Sequence, residues 1–125
     1  MPEAGKFLTH WLPWYAYLGL IFFISSLQNP ERTFGFSASD FAAHILEYAG
    51  LLFLTRRAFD ASGIAGLRVR STVTGILFCL LYAASDEFHQ SFVPTRDPSL
   101  IDFAYDAAGV LLGGMIYKRW RVRFP

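Results

Sequence analysis

Charge and sulfur are what this sequence has least of. Only 17% of its 125 residues are Asp, Glu, Lys or Arg, too few to keep a soluble domain of this length well solvated. Its one cysteine, Cys79, excludes an internal disulfide. Set in an apolar run, it reads as a small core or lipid-facing residue rather than a reactive thiol. There is no low-complexity tract and no obvious internal repeat, which leaves one domain spanning 1–125. No nucleic-acid partner is expected. What the chain does have is apolar bulk. Hydrophobic residues make up 54% of it and aromatic residues 18%, with a mean hydropathy of +0.34. That balance suits a chain facing lipid, with aromatic anchors at the interfaces.

A spanning helix needs about 17–25 mostly apolar residues. Four segments approach that: about 11–27, 39–55, 70–90 and 99–117. The first stops before Gln28-Asn29-Pro30, a turn signal. It resembles a signal peptide in its basic approach, but no small-x-small cleavage site follows, so it is expected to be retained. Ser39 or Asp40 is the expected N-cap of the second, which ends at Arg56-Arg57. The third runs into Asp86-Glu87-Phe88-His89-Gln90 and is broken by Pro94. The fourth follows Pro98 and ends in a basic tail. The expected fold is all-α, an integral membrane four-helix bundle.

The charges are sorted by end. Lys6, the four arginines between Arg56 and Arg70, and the four basic residues from Lys118 to Arg123 account for nine of the eleven Lys and Arg. With four spans these segments share one side, which the positive-inside rule makes the cytoplasm, with both termini. Eight of the ten acids lie toward the other ends: Glu31, Asp40, Glu47, Asp86, Glu87, Asp97, Asp102 and Asp106. Asp40, His44 and Glu47 share one helical face, as do Asp102 and Asp106, whose stripe continues through Gly109 and Gly113. That small-xxx-small pattern lets a neighbouring helix approach closely, which turns both aspartates into the bundle.

Ionisable groups at membrane depth are costly and usually face a bundle interior or a wet cavity. So many acids beside His44, His89 and Arg96 need protonation, ion pairing with Arg96 or a bound cation. A divalent metal is one expectation, with His44, Glu47, Asp86 and His89 as candidate ligands, although no spacing matches a named metal motif. Each residue taken singly also fits a helix cap or an interhelical hydrogen bond.

The stretch Ser85-Asp86-Glu87-Phe88-His89-Gln90-Ser91-Phe92-Val93-Pro94-Thr95-Arg96 resembles the VanZ-like family. The likeness continues through Ser99-Leu100-Ile101-Asp102 to Asp106, Gly109 and Gly113. Upstream, Asp40 to Tyr48 resembles the family's second-helix motif, and Ser25-Ser26-Leu27-Gln28 the polar end of its first helix. The resemblance implies a small protein of the bacterial inner membrane, with an extracytoplasmic site and a role in the cell envelope. The family's namesake is linked to resistance to the glycopeptide teicoplanin. By the same matching Asp40, His44, Glu47, Asp86, Glu87, His89, Gln90, Arg96, Asp102 and Asp106 are the family's polar positions. Two positions depart from its pattern. Asp106 stands where asparagine is usual, adding a negative charge that favours a bound cation or a shared proton. Thr95 stands where glycine is usual.

Three functions compete at this stage. An enzyme at the outer leaflet would act on membrane lipids or a lipid-linked envelope precursor, by acid–base or metal-assisted hydrolysis or transfer. Its histidines would be bases or ligands, and Arg96 would clamp a phosphate or carboxylate. A non-catalytic binder of a glycopeptide or envelope lipid would need Arg96 with Tyr48, Phe88 and Phe92. A transporter is the least supported, because Ile76–Leu81 and Val110–Ile116 offer no polar path. Glycine-bearing helix faces leave the oligomeric state open.

Overall fold

The computed structural model describes residues 3–28 and 40–125. It is all-helical, with no strand among the described residues. Helix α1 spans Glu3–Ser26, α2 Asp40–Asp60, α3 Ala65–Val69, α4 Ser71–Gln90 and α5 Leu100–Arg123. The four long helices coincide with the four apolar segments of the sequence. They run further, by eight residues at the start of α1, five at the end of α2 and six at the end of α5. The short α3 was not anticipated. The expected Ser39 cap lies outside the described residues.

Local chemistry explains the irregularities. Within α1 the turn Phe7–Trp11 widens to a π-helix. Pro13 follows it, with a ring that crowds the carbonyl four residues back and no N–H to give it. That carbonyl belongs to Thr9, and Arg57 Nη2 donates to it at 3.3 Å, tying the start of α1 to α2. Ser99 caps α5, accepting from the Asp102 amide at 3.1 Å. Between α4 and α5, Thr95 holds φ at 70°, the left-handed region where a β-branched side chain is strained. Its hydroxyl donates to the Gln28 carbonyl, tying this turn to the end of α1.

Helix α2 is central and packs against the other three long helices. Its closest partner is α5, and glycines set the distance. A Cβ on Gly109 would meet the Ile45 carbonyl, and one on Gly113 the Ala49 carbonyl. Both glycines therefore do what the small-xxx-small stripe predicts, bringing two backbones into contact. The core between the helices holds Ile21, Tyr48, Leu51, Leu52, Cys79, Ala83 and Val110. Cys79 is fully buried there, as its setting implies. A second cluster, Trp14, Ala58 and Phe59, lies nearer the basic end. Trp14 Nε1 donates to Thr55 Oγ1 at 2.9 Å, so the buried indole is satisfied.

Much of the outside is apolar too. Phe22, Phe23, Leu77, Leu81, Leu111 and Met115 are all more than half exposed. A surface of that kind suits hydrocarbon rather than water. Helices α1 and α5 are long and apolar enough to cross a membrane. Helices α2 and α4 do not meet that test. Glu47, Arg56, Arg57 and Asp60 interrupt α2, and the run Ser85–Gln90 dilutes α4.

The basic end carries a polar clasp that the sequence did not announce. Asp60 accepts from Tyr117 Oη at 2.5 Å and from the Ser71 hydroxyl, and Arg121 Nε lies 4.0 Å from it. Arg56 lays its guanidinium 4.6 Å from the centre of the Tyr117 ring. One carboxylate thus joins α2, α4 and α5.

Candidate functional site

The other end of the helices gathers most of the polar residues expected there. His44 on α2 faces Asp106 on α5, with Nδ1 2.6 Å from Oδ1. Asp106 is completely buried, and its second oxygen, Oδ2, has no hydrogen-bond partner. Glu87 on α4 completes this group. Its Oε2 accepts from the Ser99 amide at 3.2 Å, and its buried Oε1 has no partner. One donor atom from each of His44, Glu87 and Asp106 lies within 4.8 Å of the other two. Three separate helices supply these atoms, held by the glycine contact between α2 and α5 and by the Ser99 cap.

Asp86, the neighbour of Glu87, turns instead toward α1. It accepts from the Ser25 hydroxyl and, over a long 3.5 Å, from Tyr48 Oη. Gln90 donates to Ser25 Oγ at 2.8 Å, which makes a buried chain Gln90–Ser25–Asp86–Tyr48. His89 lies outside that chain, against Ser26 Oγ at 2.9 Å and stacked on Phe22 with centroids 4.5 Å apart. Of the four candidate metal ligands, His44 alone therefore belongs to the close trio. Asp86 is engaged by hydroxyls, and His89 faces α1 at the protein edge.

Glu47 is half-buried, and its backbone carbonyl accepts from Tyr17 at 2.7 Å. Its carboxylate lies within Coulombic reach of His44, Asp86, Asp106 and Arg96. Asp102 is half-buried one turn above Asp106 and within reach of His44 and Glu87. The Asp40 side chain lies outside the described residues, and Asp97 is exposed. Arg96 is half-buried, close enough to Glu47 and Asp86 to feel both charges. Yet it forms no ion pair among the described residues, and its buried Nε has no hydrogen-bond partner. Among the described residues Arg96 thus acts on Glu47 and Asp86 through space and without a direct ion pair.

Beside Glu87, a groove of 490 Å³ opens between α4 and α5, lined by Ala84, Phe88, Pro98, Leu100 and Phe103. Glu87 and Ser99 are the polar residues of its otherwise apolar lining. Ser25 and Ser26 were missed as site-forming residues. Their signal was visible as two hydroxyls ending an otherwise apolar helix.

The fold and this buried polar end define a helical protein of membrane type with an ionisable site between its helices. The family profile of VanZ/LLP1 matches residues 8–121, so the chain belongs to the VanZ/LLP1 family, as its third apolar segment implied. Family membership and the two apolar helices together point to a membrane protein. No curated protein and no solved structure matches the chain.

Proposed function

We propose that this protein crosses the bacterial cytoplasmic membrane four times, with both termini cytoplasmic, and that its polar end captures and cleaves or transfers a phosphorylated envelope lipid at the outer leaflet. The observation that carries this is Arg96. A guanidinium near carboxylates, half-buried and without an ion-pair partner among the described residues, suits an anion from outside the chain. The groove beside Glu87 supports a lipid ligand, since its apolar walls suit an acyl or prenyl chain entering sideways from the bilayer.

The His44–Asp106 pair supports chemistry beyond capture. A carboxylate on Nδ1 fixes the imidazole and its tautomer, which leaves Nε2 to act as a base. In this reading His44 takes a proton from water or an acceptor alcohol, whose oxygen bonds to phosphorus. The ester P–O bond breaks, and the departing alcohol recovers a proton. Arg96 neutralises the charge that grows on the phosphoryl oxygens. The charge asymmetry of the sequence supports the orientation, and a changed pool of envelope precursors would link such a protein to glycopeptide susceptibility.

The test is reconstitution in nanodiscs containing phosphatidylglycerol, with phosphatidylcholine discs as control and mass spectrometry to follow lipid and released headgroup. Retention of phosphatidylglycerol that is lost in Arg96→Ala, with headgroup release lost in His44→Ala, is the expected result. Retention without release favours a non-catalytic binder. Equal retention by wild type and Arg96→Ala would refute the proposal.

A further inference from the structure

Two orphaned oxygens beside a histidine call for a partner that no described residue supplies. Asp106 is completely buried, and its Oδ2 is unpaired. Glu87 Oε1 is buried and also unpaired. Leaving carboxyl oxygens unsatisfied away from water is expensive, and native structures rarely tolerate it. Arg96 does not pair with them, and the Ser99 amide reaches only the other oxygen of Glu87. His44 shares just one of the two Asp106 oxygens.

The geometry points to a divalent transition-metal ion, of the Zn2+ or Mn2+ class, bound by His44, Glu87 and Asp106. The three donors lie within 4.8 Å of one another, whereas ligands of a tetrahedral zinc ion stand roughly 3.4 Å apart. The His44–Asp106 contact, at 2.6 Å, is shorter than that. An ion would take the place of the Nδ1 proton, the two groups parting by under about 1 Å while Glu87 moves in. The imidazole N–H then lies on Nε2, so in the loaded site the base would be water in the open position and not His44. One imidazole and two carboxylates suit Zn2+ or Mn2+ better than a soft ion, and three protein ligands leave a position open for water or a phosphoryl oxygen. This rests on the reading of the polar end as a lipid phosphate site and names its cofactor. It assigns Glu87 and Asp106 as ligands. His89, Asp86 and Glu47 stand outside the set.

The experiment uses the full chain in detergent, stripped with chelator and then dialysed against Zn2+ or Mn2+, with bound metal measured by elemental analysis. Wild type and His89→Ala are expected to retain one ion per chain. His44→Ala and Glu87→Gln should bind about 100-fold more weakly or worse, since loss of a first ligand costs at least what loss of a supporting group does. Helix content and thermal unfolding of the stripped variants show that they fold, and Glu87→Gln keeps the shape of the side chain. No uptake by wild type, or equal loss in His89→Ala, overturns the site. Lipid retention is scored separately through Arg96→Ala. If lipid binds through Arg96 and no metal is taken up, the ion site falls and the lipid reading stands. If metal binds through the trio and Arg96→Ala changes nothing, the reverse holds.

Discussion

A single methyl group should be able to pry this protein apart. On Gly113 it would lie 2.9 Å from Ala49 Cα and closer still to the Ala49 carbonyl oxygen; on Gly109 it would lie 3.0 Å from Ile45 Cα. Ordinary contacts between carbon atoms are about 3.5–4.0 Å, so α2 and α5 must separate by about 1 Å to admit it. Backbone cannot rotate out of the way as a side chain does. Overpacking of this kind costs roughly 1–3 kcal/mol, which at the upper end exceeds a tenfold change in the unfolding equilibrium. Two other glycines calibrate the effect. At Gly114 the methyl meets only Leu52 Cδ2, at 3.3 Å, the end of a flexible side chain. At Gly19 it meets nothing within 4 Å, and the gain in helix propensity is about 0.5 kcal/mol or more. Unfolding in mixed micelles with increasing dodecyl sulfate, followed by circular dichroism, should rank Gly19→Ala as most stable, then Gly114→Ala, with Gly109→Ala and Gly113→Ala well below both. Because His44 adjoins Ile45 and Asp106 lies one turn before Gly109, Gly109→Ala should also weaken the site above it. Stability of Gly109→Ala within about 0.5 kcal/mol of Gly19→Ala would refute the close-approach reasoning.

Two further predictions concern the basic end and the orientation. Asp60→Asn removes the charged acceptor shared by Tyr117 and Ser71 and should cost about 1–3 kcal/mol in the same unfolding assay. Tyr117→Phe keeps the ring beneath Arg56 and should cost only about 1 kcal/mol; an equal or reversed ranking would count against Asp60 as the joint of this end. For orientation, the buried Cys79 is first replaced by serine. A membrane-impermeant thiol reagent on intact cells should then label Thr95→Cys and spare Arg68→Cys until the cells are opened. The opposite pattern would invert the proposed topology.

By itself the sequence determined where the four long helices lie, though not the short α3 or the exact ends, because apolar length and flanking breakers such as Pro94 and Pro98 act locally. It determined that most acids and most bases segregate to opposite ends of the helices, because that order is written in the chain itself. It determined the family, through the run from Ser85 to Arg96. It also marked Gly109 and Gly113 as a contact face, though not that α2 would be the helix received there. Only the tertiary structure decided which polar residues meet. Asp86 and Glu87 are adjacent in sequence, yet successive helical residues point about 100° apart, so one turns to Ser25 on α1 and the other to α5. His44 and Asp106, far apart in the chain, come to 2.6 Å because two glycines let their helices touch. Asp60 gave no sign of its importance, since its partners Ser71 and Tyr117 reach it only through packing. Periodicity places each residue on a face of its own helix, but the rotation of each helix about its axis is fixed by the neighbours it packs against.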